Sequence, residues 1–401
     1  MPFPFEFVLF GATLLGVALL HRHTLEVAWF GLLLITAYKL VFADFHGMPG
    51  AAGLVDQLAG EWVLLANLFC LLVGFALLAR HFQQSRLPQL LPRVLPDDWT
   101  GGLVLLALVF VLSSFLDNIA AAVIGATAAS AVYRQRLHLG YLVAIVAAAN
   151  AGGSGSVVGD TTTTMMWLDG VAPLELLRAY GAAVVAFFVF AIPAARQQQK
   201  CSPIVRDAPP DVRVDVSRVI VMALVLAGAI AANVYANSMS SGSGDAFPLI
   251  GATVIGLLLL LTPWRRPDWS VVPGAARGAA FLLALVVAAS MMPVDGLPEA
   301  SPQATFGLGL VSAVFDNIPL TRLALEQGGY DWAALAYAVG FGGSMLWFGS
   351  SAGVAVANLF TEAKSAGQWL RQGWHVAVGY VVGFLVYLLV AGWQPEGPYL
   401  E

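Results

Sequence analysis

Apolar runs of about 20 residues recur along the whole chain, and this recurrence is what most restricts its fold. An α-helix rises 1.5 Å per residue, so roughly 20 apolar residues cross a hydrocarbon core about 30 Å thick. Hydrophobic residues make up 59% of the 401 residues and charged residues only 11%, with a mean hydropathy of +0.80. A soluble domain usually has about 25% charged residues. The sequence therefore predicts an all-α polytopic membrane protein.

Eight uninterrupted runs predict simple membrane-spanning helices, at about 3–20, 25–43, 61–79, 176–195, 218–237, 247–263, 278–293 and 372–392. The first run lacks the features of a cleaved signal peptide and is expected to be retained. Four other runs are interrupted. Asp-Asn interrupts 101–133 and 301–327, whereas glycine and hydroxyl residues interrupt 139–168 and 332–358. Because lipid cannot satisfy free backbone N–H and C=O groups, such breaks must be buried in protein or line a wet cavity.

The basic residues indicate how the interrupted runs cross the membrane, because cytoplasmic loops are enriched in Lys and Arg. If the Asp-Asn runs are re-entrant hairpins and the glycine runs are broken crossing helices, 16 of the 19 Lys and Arg residues fall on one face. Only Lys39, Arg178 and Arg322 remain. This arrangement predicts a cytoplasmic linker at 196–217, acidic or neutral outer loops such as 44–60, and both termini on the outer, periplasmic side.

Two pairs of motifs repeat along the chain. SSFLDNI at 113–119 matches SAVFDNI at 312–318, and AGGSGSVVGDT at 151–161 matches FGGSMLWFGSS at 341–351. Each half then has five crossing helices and one re-entrant hairpin, and an odd number of crossings makes the second half start from the opposite face. The sequence thus predicts an inverted repeat, 1–195 and 218–401, with broken helices at the midplane, as in secondary transporters.

The breaks carry the chemistry of an ion site. A central Asp costs roughly 2.5–3.5 kcal/mol on insertion scales, so Asp117, Asp160 and Asp316 need partners or a wet cavity. Carboxylate, amide and hydroxyl oxygens, with carbonyls freed from broken helices, suit a small cation. Burial also favours a protonated carboxyl, so that protons compete with the cation. The candidate ion-binding residues at the breaks are Asp117, Asn118, Gly153, Ser154, Asp160, Thr161, Thr162, Asp316, Asn317, Gly343, Ser344 and Ser350.

We expect the two acidic kinks to converge on a single oxygen-lined pocket. The side chains proposed to bind Na⁺ there are Asp117, Asn118, Asp160, Asp316 and Asn317. Each motif also has a purely structural interpretation. Asp-Asn caps helix N-termini, the 161–164 threonines can start a helix with their hydroxyls bonded to backbone carbonyls, and the glycines permit close helix packing. The duplication of Asp-Asn at matching positions favours a functional role.

These motifs resemble the signature stretches of NhaD-type sodium/proton antiporters of the ion transporter superfamily, which also includes citrate, dicarboxylate and arsenite carriers. The resemblance rests on 113–119, 148–167, 312–320 and 340–356, and elsewhere it concerns only the pattern of spans. It implies exchange of Na⁺ or Li⁺ for H⁺ by alternating access in a bacterial inner membrane, without a cofactor. It further implies a homodimer formed through a scaffold portion and an elevator-like movement of the hairpins.

Two features depart from that family. Ala120 and Ala121 stand where threonines usually follow the first Asp-Asn, so hydroxyl ligands are missing there. Arg322 stands where an apolar residue is usual. It either pairs with Asp316 or Glu326, or it binds an anion. The second option makes the alternative function a Na⁺- or H⁺-coupled carrier of an organic anion, such as citrate or a dicarboxylate, or of an oxyanion.

Other classes of protein fit the sequence poorly. An intramembrane aspartyl protease would need Gly-x-Gly-Asp, but Val157 occupies the first glycine position, so we expect no enzyme. The chain has no Gly-x4-Gly-Lys-Ser/Thr motif for nucleotide-driven transport, and no basic stripe with interleaved aromatics for nucleic acid. Cys70 and Cys201 read as incidental thiols. The expected partners are therefore the lipid bilayer, a small monovalent cation and protons.

Overall fold

The computed structural model describes residues 4–20, 23–45, 47–87, 95–204, 213–238, 247–294 and 297–395. The α-helices in these ranges are α1 Phe5–Leu19, α2 Thr24–Phe42, α3 Gly50–Gln84, α4 Trp99–Ser113, α5 Asn118–Val132, α6 Leu139–Gly153, α7 Thr161–Leu168, α8 Pro173–Leu176, α9 Ala179–Cys201, α10 Val216–Ser238, α11 Leu249–Leu260, α12 Val272–Ser290, α13 Pro302–Ser312, α14 Asn317–Gln327, α15 Trp332–Gly342, α16 Ser351–Leu359, α17 Ala366–Gln372 and α18 Trp374–Ala391. Short 3-10 turns lie at Trp269–Val271, Gly343–Met345 and Thr361–Lys364, and β1 Asp44–Phe45 pairs antiparallel with β2 Met48–Pro49.

Several helices have the length and composition to cross a membrane. Within the described residues these segments are Thr24–Phe42, Gly50–Gln84, Pro173–Cys201, Trp269–Ser290 and Trp374–Ala391. Apolar side chains also cover outward-facing positions, and Leu389 and Val390 are 84% and 83% exposed. In water such exposure would be unfavourable, whereas lipid tails accept it. The prediction of a mostly helical polytopic membrane protein is confirmed at this level.

The predicted outer loop 44–60 is wrong over most of its length, because α3 already begins at Gly50. Residues 50–60 include three Ala and two Leu, which are good helix formers. Gln57 also anchors this first part of α3, since its amide Nε2 lies 3.3 Å from the carbonyl oxygen and the hydroxyl of Ser290. At the predicted linker 196–217, α9 continues to Cys201 and α10 begins at Val216, while residues 205–212 lie outside the described residues.

Each of the four interrupted runs is a pair of helices separated at the predicted break. The Asp-Asn runs form α4 with α5 and α13 with α14, and in both pairs the second helix begins at the Asn. The glycine runs form α6 with α7 and α15 with α16, and the first helix of each pair ends within a Gly-Gly pair, at Gly153 and at Gly342. The breaks therefore lie where the sequence offers either capping side chains or glycines.

Glycines bring the backbones around the breaks into contact. A Cβ atom on Gly152 would lie 2.0 Å from the carbonyl oxygen of Phe110, and one on Gly342 would lie 2.2 Å from that of Gly309. These distances leave no room for a side chain, so α6 packs directly on α4, and α15 packs in the same way on α13. For Gly152 and Gly342 the packing interpretation of the glycines is confirmed.

The buried side chains form one central core and two flanking clusters. The central core is built by the helices on either side of the four breaks, together with α9 and α18. One flanking cluster contains residues of α1, α2 and α12, and the other contains residues of α3, α10 and α11. The four breaks therefore adjoin the central core, and α3 and α12 each link a flanking cluster to that core.

Candidate functional site

Asp160 lies at the centre of the polar site. The chain leaves α6 after Gly153, and Asp160 caps the N-terminus of α7, where its Oδ1 atom lies 3.4 Å from the backbone nitrogen of Thr162. Asn118 donates from Nδ2 to Oδ1 of Asp160 at 3.2 Å, and Nδ2 of Asn317 lies 3.5 Å from Oδ2. The Asp160 side chain is only 2% exposed. One buried carboxylate is thus approached by the amides of both Asp-Asn breaks.

Asn150 extends this network to the second glycine break. Its Oδ1 accepts from Nδ2 of Asn118 at 3.1 Å, and its own Nδ2 donates to the hydroxyls of Ser344 at 2.9 Å and Ser350 at 3.1 Å. Asn150 is fully buried. Unpaired polar groups are costly inside an apolar core. The network therefore couples all four breaks through hydrogen bonds.

Asp117 shares a small cavity with Asp160. Its side chain makes no capping bond to α5 and is half-buried. The cavity measures about 10 Å³, close to the space that one water molecule needs. Its lining consists of Leu68, Leu71, Leu72, Phe75, Asp117, Val158, Asp160, Thr161 and Thr164. Two carboxylates and two threonines thus border a space of the size of a small ion, closed on one side by apolar residues of α3.

Asp316 lines a different cavity. This cavity measures about 210 Å³ and lies between the second Asp-Asn break and residues of α1 and α12, including Leu14 and Leu285. Oδ1 of Asp316 accepts from the backbone nitrogen of Ile318 at 3.1 Å, and Oδ2 accepts from the Ser351 hydroxyl at 3.2 Å. The single pocket expected for both acidic kinks is therefore replaced by two cavities, with Asp160 and the two asparagines between the breaks.

The threonine run has the structural role considered for it. The hydroxyls of Thr163 and Thr164 donate to backbone carbonyls, including that of Asp160 at 2.8 and 2.9 Å. The Thr162 hydroxyl is buried and has no hydrogen-bond partner among the described residues. Ser154 donates to the carbonyl of Ala151 at 2.8 Å. The run therefore shapes the start of α7 and leaves the Thr162 hydroxyl available for a ligand.

Gly153 and Gly343 contribute to the site through their backbones. A Cβ atom on either residue would lie 2.6 Å from a carbonyl oxygen, that of Gly159 or Gly349 respectively. Each glycine thus lets the backbone before the break approach the backbone after it. In the part of the chain that the structure describes, no three His, Cys, Asp or Glu side chains form a group that holds a metal ion. A cation at Asp160 would accordingly need amide, hydroxyl or carbonyl oxygens besides the two carboxylates, Asp117 and Asp160, that line the small cavity.

Arg322 lies outside this network. Its guanidinium contacts the carboxylates of Glu61 and Glu326, and it lies 3.3 Å from Oδ1 of Asp169. Arg322 is 6% exposed, and Glu61 is 7% exposed. The pairing expected with Glu326 is confirmed, whereas the structure shows Glu61 and Asp169, and not Asp316, as the other partners. The three carboxylates therefore already neutralise the positive charge that would otherwise bind an anionic substrate.

Two residues of the site were not among the sequence candidates. Asn150 is a single amide within an otherwise apolar stretch, AIVAAANAGG, and that isolation is a signal that could have found it. Ser351 stands where the first glycine break has Thr161, so the motif match could have identified it as well. Both take part through contacts between separate helices, which the linear pattern does not contain.

The apolar helices, with a buried carboxylate network at their breaks, define an integral membrane protein with a polar site in its interior. No family model matches the chain. It is 28% identical over 339 residues to sodium/proton antiporter 1 of Arabidopsis thaliana, covering 75% of this chain and 56% of that protein. It is 24% identical over 318 residues to sodium/proton antiporter 2 of the same plant, covering 70% and 74%.

A third relative is the Na⁺/H⁺ antiporter NhaD of Halomonas elongata, which is 33% identical over 87 residues, or 21% of this chain and 18% of that protein. The chain spans little more than half the length of the first plant relative. The resemblance to sodium/proton antiporters predicted from the motifs is confirmed by these relatives, whereas membership of the ion transporter superfamily stays a prediction.

Proposed function

We propose that the chain exchanges Na⁺ or Li⁺ for H⁺ across a membrane by alternating access. The observation that carries this proposal is the Asp160 carboxylate, which is buried and lies between the amides of Asn118 and Asn317. The relatives named sodium/proton antiporters support the same exchange. The ions are the cargo of this reaction, and the proposal needs no cofactor.

In this proposal Asp160 binds either the cation or the proton. A bound cation would take the carboxylate oxygens together with neutral oxygens near them, and the free Thr162 hydroxyl is one such ligand. Protonation removes the negative charge, so the cation loses its strongest attraction and leaves. Asp117 borders the same cavity and provides a second negative charge for the cation at its entrance. Competition for one carboxylate is sufficient to couple the two ions.

The arrangement of contacts supports the inverted repeat within this proposal. The close approach of Gly152 to Phe110 has its counterpart in Gly342 and Gly309. The two cavities also correspond, because Asp117, Val158, Thr161 and Thr164 line one, and the matching Asp316, Phe348, Ser351 and Val354 line the other. Two similar halves with opposite orientation provide the two similar states, open to either side, that alternating access requires.

The alternative function, transport of an organic anion or oxyanion, has less support. It rested on a free guanidinium at Arg322, and that group is instead paired with three carboxylates. The three relatives are likewise named as cation antiporters. We therefore propose no anion as cargo and no enzymatic reaction. The homodimer stays a prediction from the resemblance.

A transport assay tests the proposal. The full chain is reconstituted into liposomes that contain a pH-sensitive dye, and Na⁺, Li⁺ or K⁺ is added outside, with and without citrate or a dicarboxylate. We expect Na⁺ or Li⁺ to drive proton movement that protein-free liposomes lack, without any need for the carboxylate. If no cation moves protons, or if movement requires the added anion, the proposal is wrong.

The proposed orientation places Cys201 on the cytoplasmic side, in a bacterial inner membrane with both termini outside. Cys201 is exposed at the end of α9, and Cys70 is partly buried within α3. In a Cys70→Ser variant expressed in intact bacterial cells, we expect a membrane-impermeant maleimide to label Cys201 only after the cells are opened. Labelling in intact cells would reverse the assigned orientation, and the variant Cys70→Ser/Cys201→Ser is the control for background.

A further inference from the structure

A strongly basic cavity lies where three apolar helices end. The end of α3, the start of α10 and the segment after α11 form a cavity of about 790 Å³. Its lining includes four guanidinium groups, those of Arg86, Arg213, Arg218 and Arg265, and a single carboxylate, Asp215. Trp264, the residue before Arg265, is 48% exposed. Tryptophans of this kind mark the boundary between lipid and water.

Among the residues that the structure describes, only part of this positive charge is neutralised. Asp215 lies 3.5 Å from Nε of Arg218 and 3.2 Å from a terminal nitrogen of Arg265. A hydrogen bond from Ser217 and the charge of Arg265 hold the pKa of the Asp215 carboxyl below its usual value, so it is ionised at neutral pH. The guanidinium groups of Arg86 and Arg213 have no ion pair or hydrogen bond to another described residue. The described lining of the cavity therefore has an excess of positive charge.

An apolar groove begins beside the basic cavity. Phe82 and Leu87 line the groove, and Gln83, Gln84 and Arg86, from the same end of α3, line the cavity. The groove measures about 230 Å³ and continues along α4 to Phe115, two residues before Asp117. Val111 and Phe115, which line it, are 54% and 60% exposed. The basic cavity and the apolar groove are therefore adjacent at the C-terminal end of α3.

We propose that this cavity and groove together bind one anionic phospholipid, with its phosphate at Arg86 and Arg213 and an acyl chain along α4. Basic pockets at the ends of membrane helices suit anionic headgroups, and guanidinium groups bind phosphate oxygens in a two-pronged geometry. A free anion would use the cavity alone, whereas a lipid also fills the groove. The site is separate from the Asp160 network, so it does not depend on the proposed transport.

Native mass spectrometry of the full chain in detergent tests the headgroup. The probes are phosphatidylglycerol and phosphatidylcholine with identical acyl chains. We expect the wild type to retain phosphatidylglycerol preferentially. Arg86→Gln combined with Arg213→Gln should weaken that binding roughly 25-fold, since each cation contributes about fivefold. The charge-matched control is Lys364→Gln with Arg371→Gln, two exposed cations outside the cavity, which should bind like the wild type. Equal losses in both variants, or equal retention of the two lipids, would overturn the proposal.

The groove is tested separately. Val111→Trp fills it, whereas Val104→Trp places the same side chain on the same helix outside its lining. We expect only Val111→Trp to lower phosphatidylglycerol binding, with both variants keeping the elution volume of the wild type. Inorganic phosphate and glycerol 3-phosphate serve as competitors without acyl chains. If either displaces the lipid at equal concentration, the cavity binds free anions, and the lipid proposal is wrong.

Discussion

Asp160→Asn is expected to reduce Na⁺-driven proton movement at least tenfold. The remaining signal should be close to that of protein-free liposomes. The substitution keeps the size of the side chain and an oxygen that can cap α7, but it removes the charge that holds either ion. Hydrogen bonds to a charged group contribute about 1.5–3 kcal/mol, and tenfold corresponds to about 1.4 kcal/mol. The measurement is dye dequenching in liposomes with matched amounts of protein.

The matched control is Asp98→Asn, the same change at another helix N-terminus. Asp98 caps α4 and accepts from the backbone nitrogen of Thr100 at 2.9 Å, at the opposite end of that helix from the first Asp-Asn break. Asn caps helices about as well as Asp, so transport should be unchanged. Full transport by Asp160→Asn would show that Asp117 or Asp316 carries the exchange without it. A loss in both variants would instead indicate damage unrelated to the ion site.

The breaks could be predicted from the sequence because they depend on local chemistry. Asp-Asn caps a helix, Gly-Gly ends one, and both act within a few residues of their position. The same reasoning failed at 44–60, where a few polar residues suggested a loop although Ala51, Ala52 and Leu54 continue a helix. Local patterns therefore gave the positions of the helices around the site, and they erred where tertiary contacts such as that of Gln57 decide.

The central place of Asp160 could not be predicted in this way. The motifs made Asp117, Asp160 and Asp316 equivalent candidates, and only the packing of α5 against α16 and of α14 against α7 distinguishes them. Asn317 reaches Asp160 from 157 positions away, and Glu61 reaches Arg322 from 261. Such pairs depend on how whole helices are placed side by side. A single sequence records the residue types on each helix but not which helices are neighbours.

Arg322→Met is expected to destabilise the protein by about 3–5 kcal/mol, the usual result of removing one partner from a buried ion pair. The guanidinium joins Glu61 of α3 to Glu326 of α14 and to Asp169 after α7, and the Arg322 and Glu61 side chains are 8% and 9% exposed. Without it, three neighbouring carboxylates repel one another inside the protein. Thermal unfolding in detergent, followed in a Cys201→Ser background by the fluorescence of a thiol-reactive dye at Cys70, measures the loss.

Arg80→Met is the control, because Arg80 also pairs with a carboxylate, Asp268 at 2.9 Å, but is 46% exposed. An exposed pair of this kind contributes at most about 1 kcal/mol. Adding Glu61→Met to Arg322→Met should recover part of the lost stability, since it removes a buried carboxylate that has lost its partner. If Arg322→Met instead leaves stability unchanged and abolishes transport of an added carboxylate, Arg322 holds a substrate anion. Recovery of stability in the double variant would show that Arg322 neutralises the buried carboxylates around it.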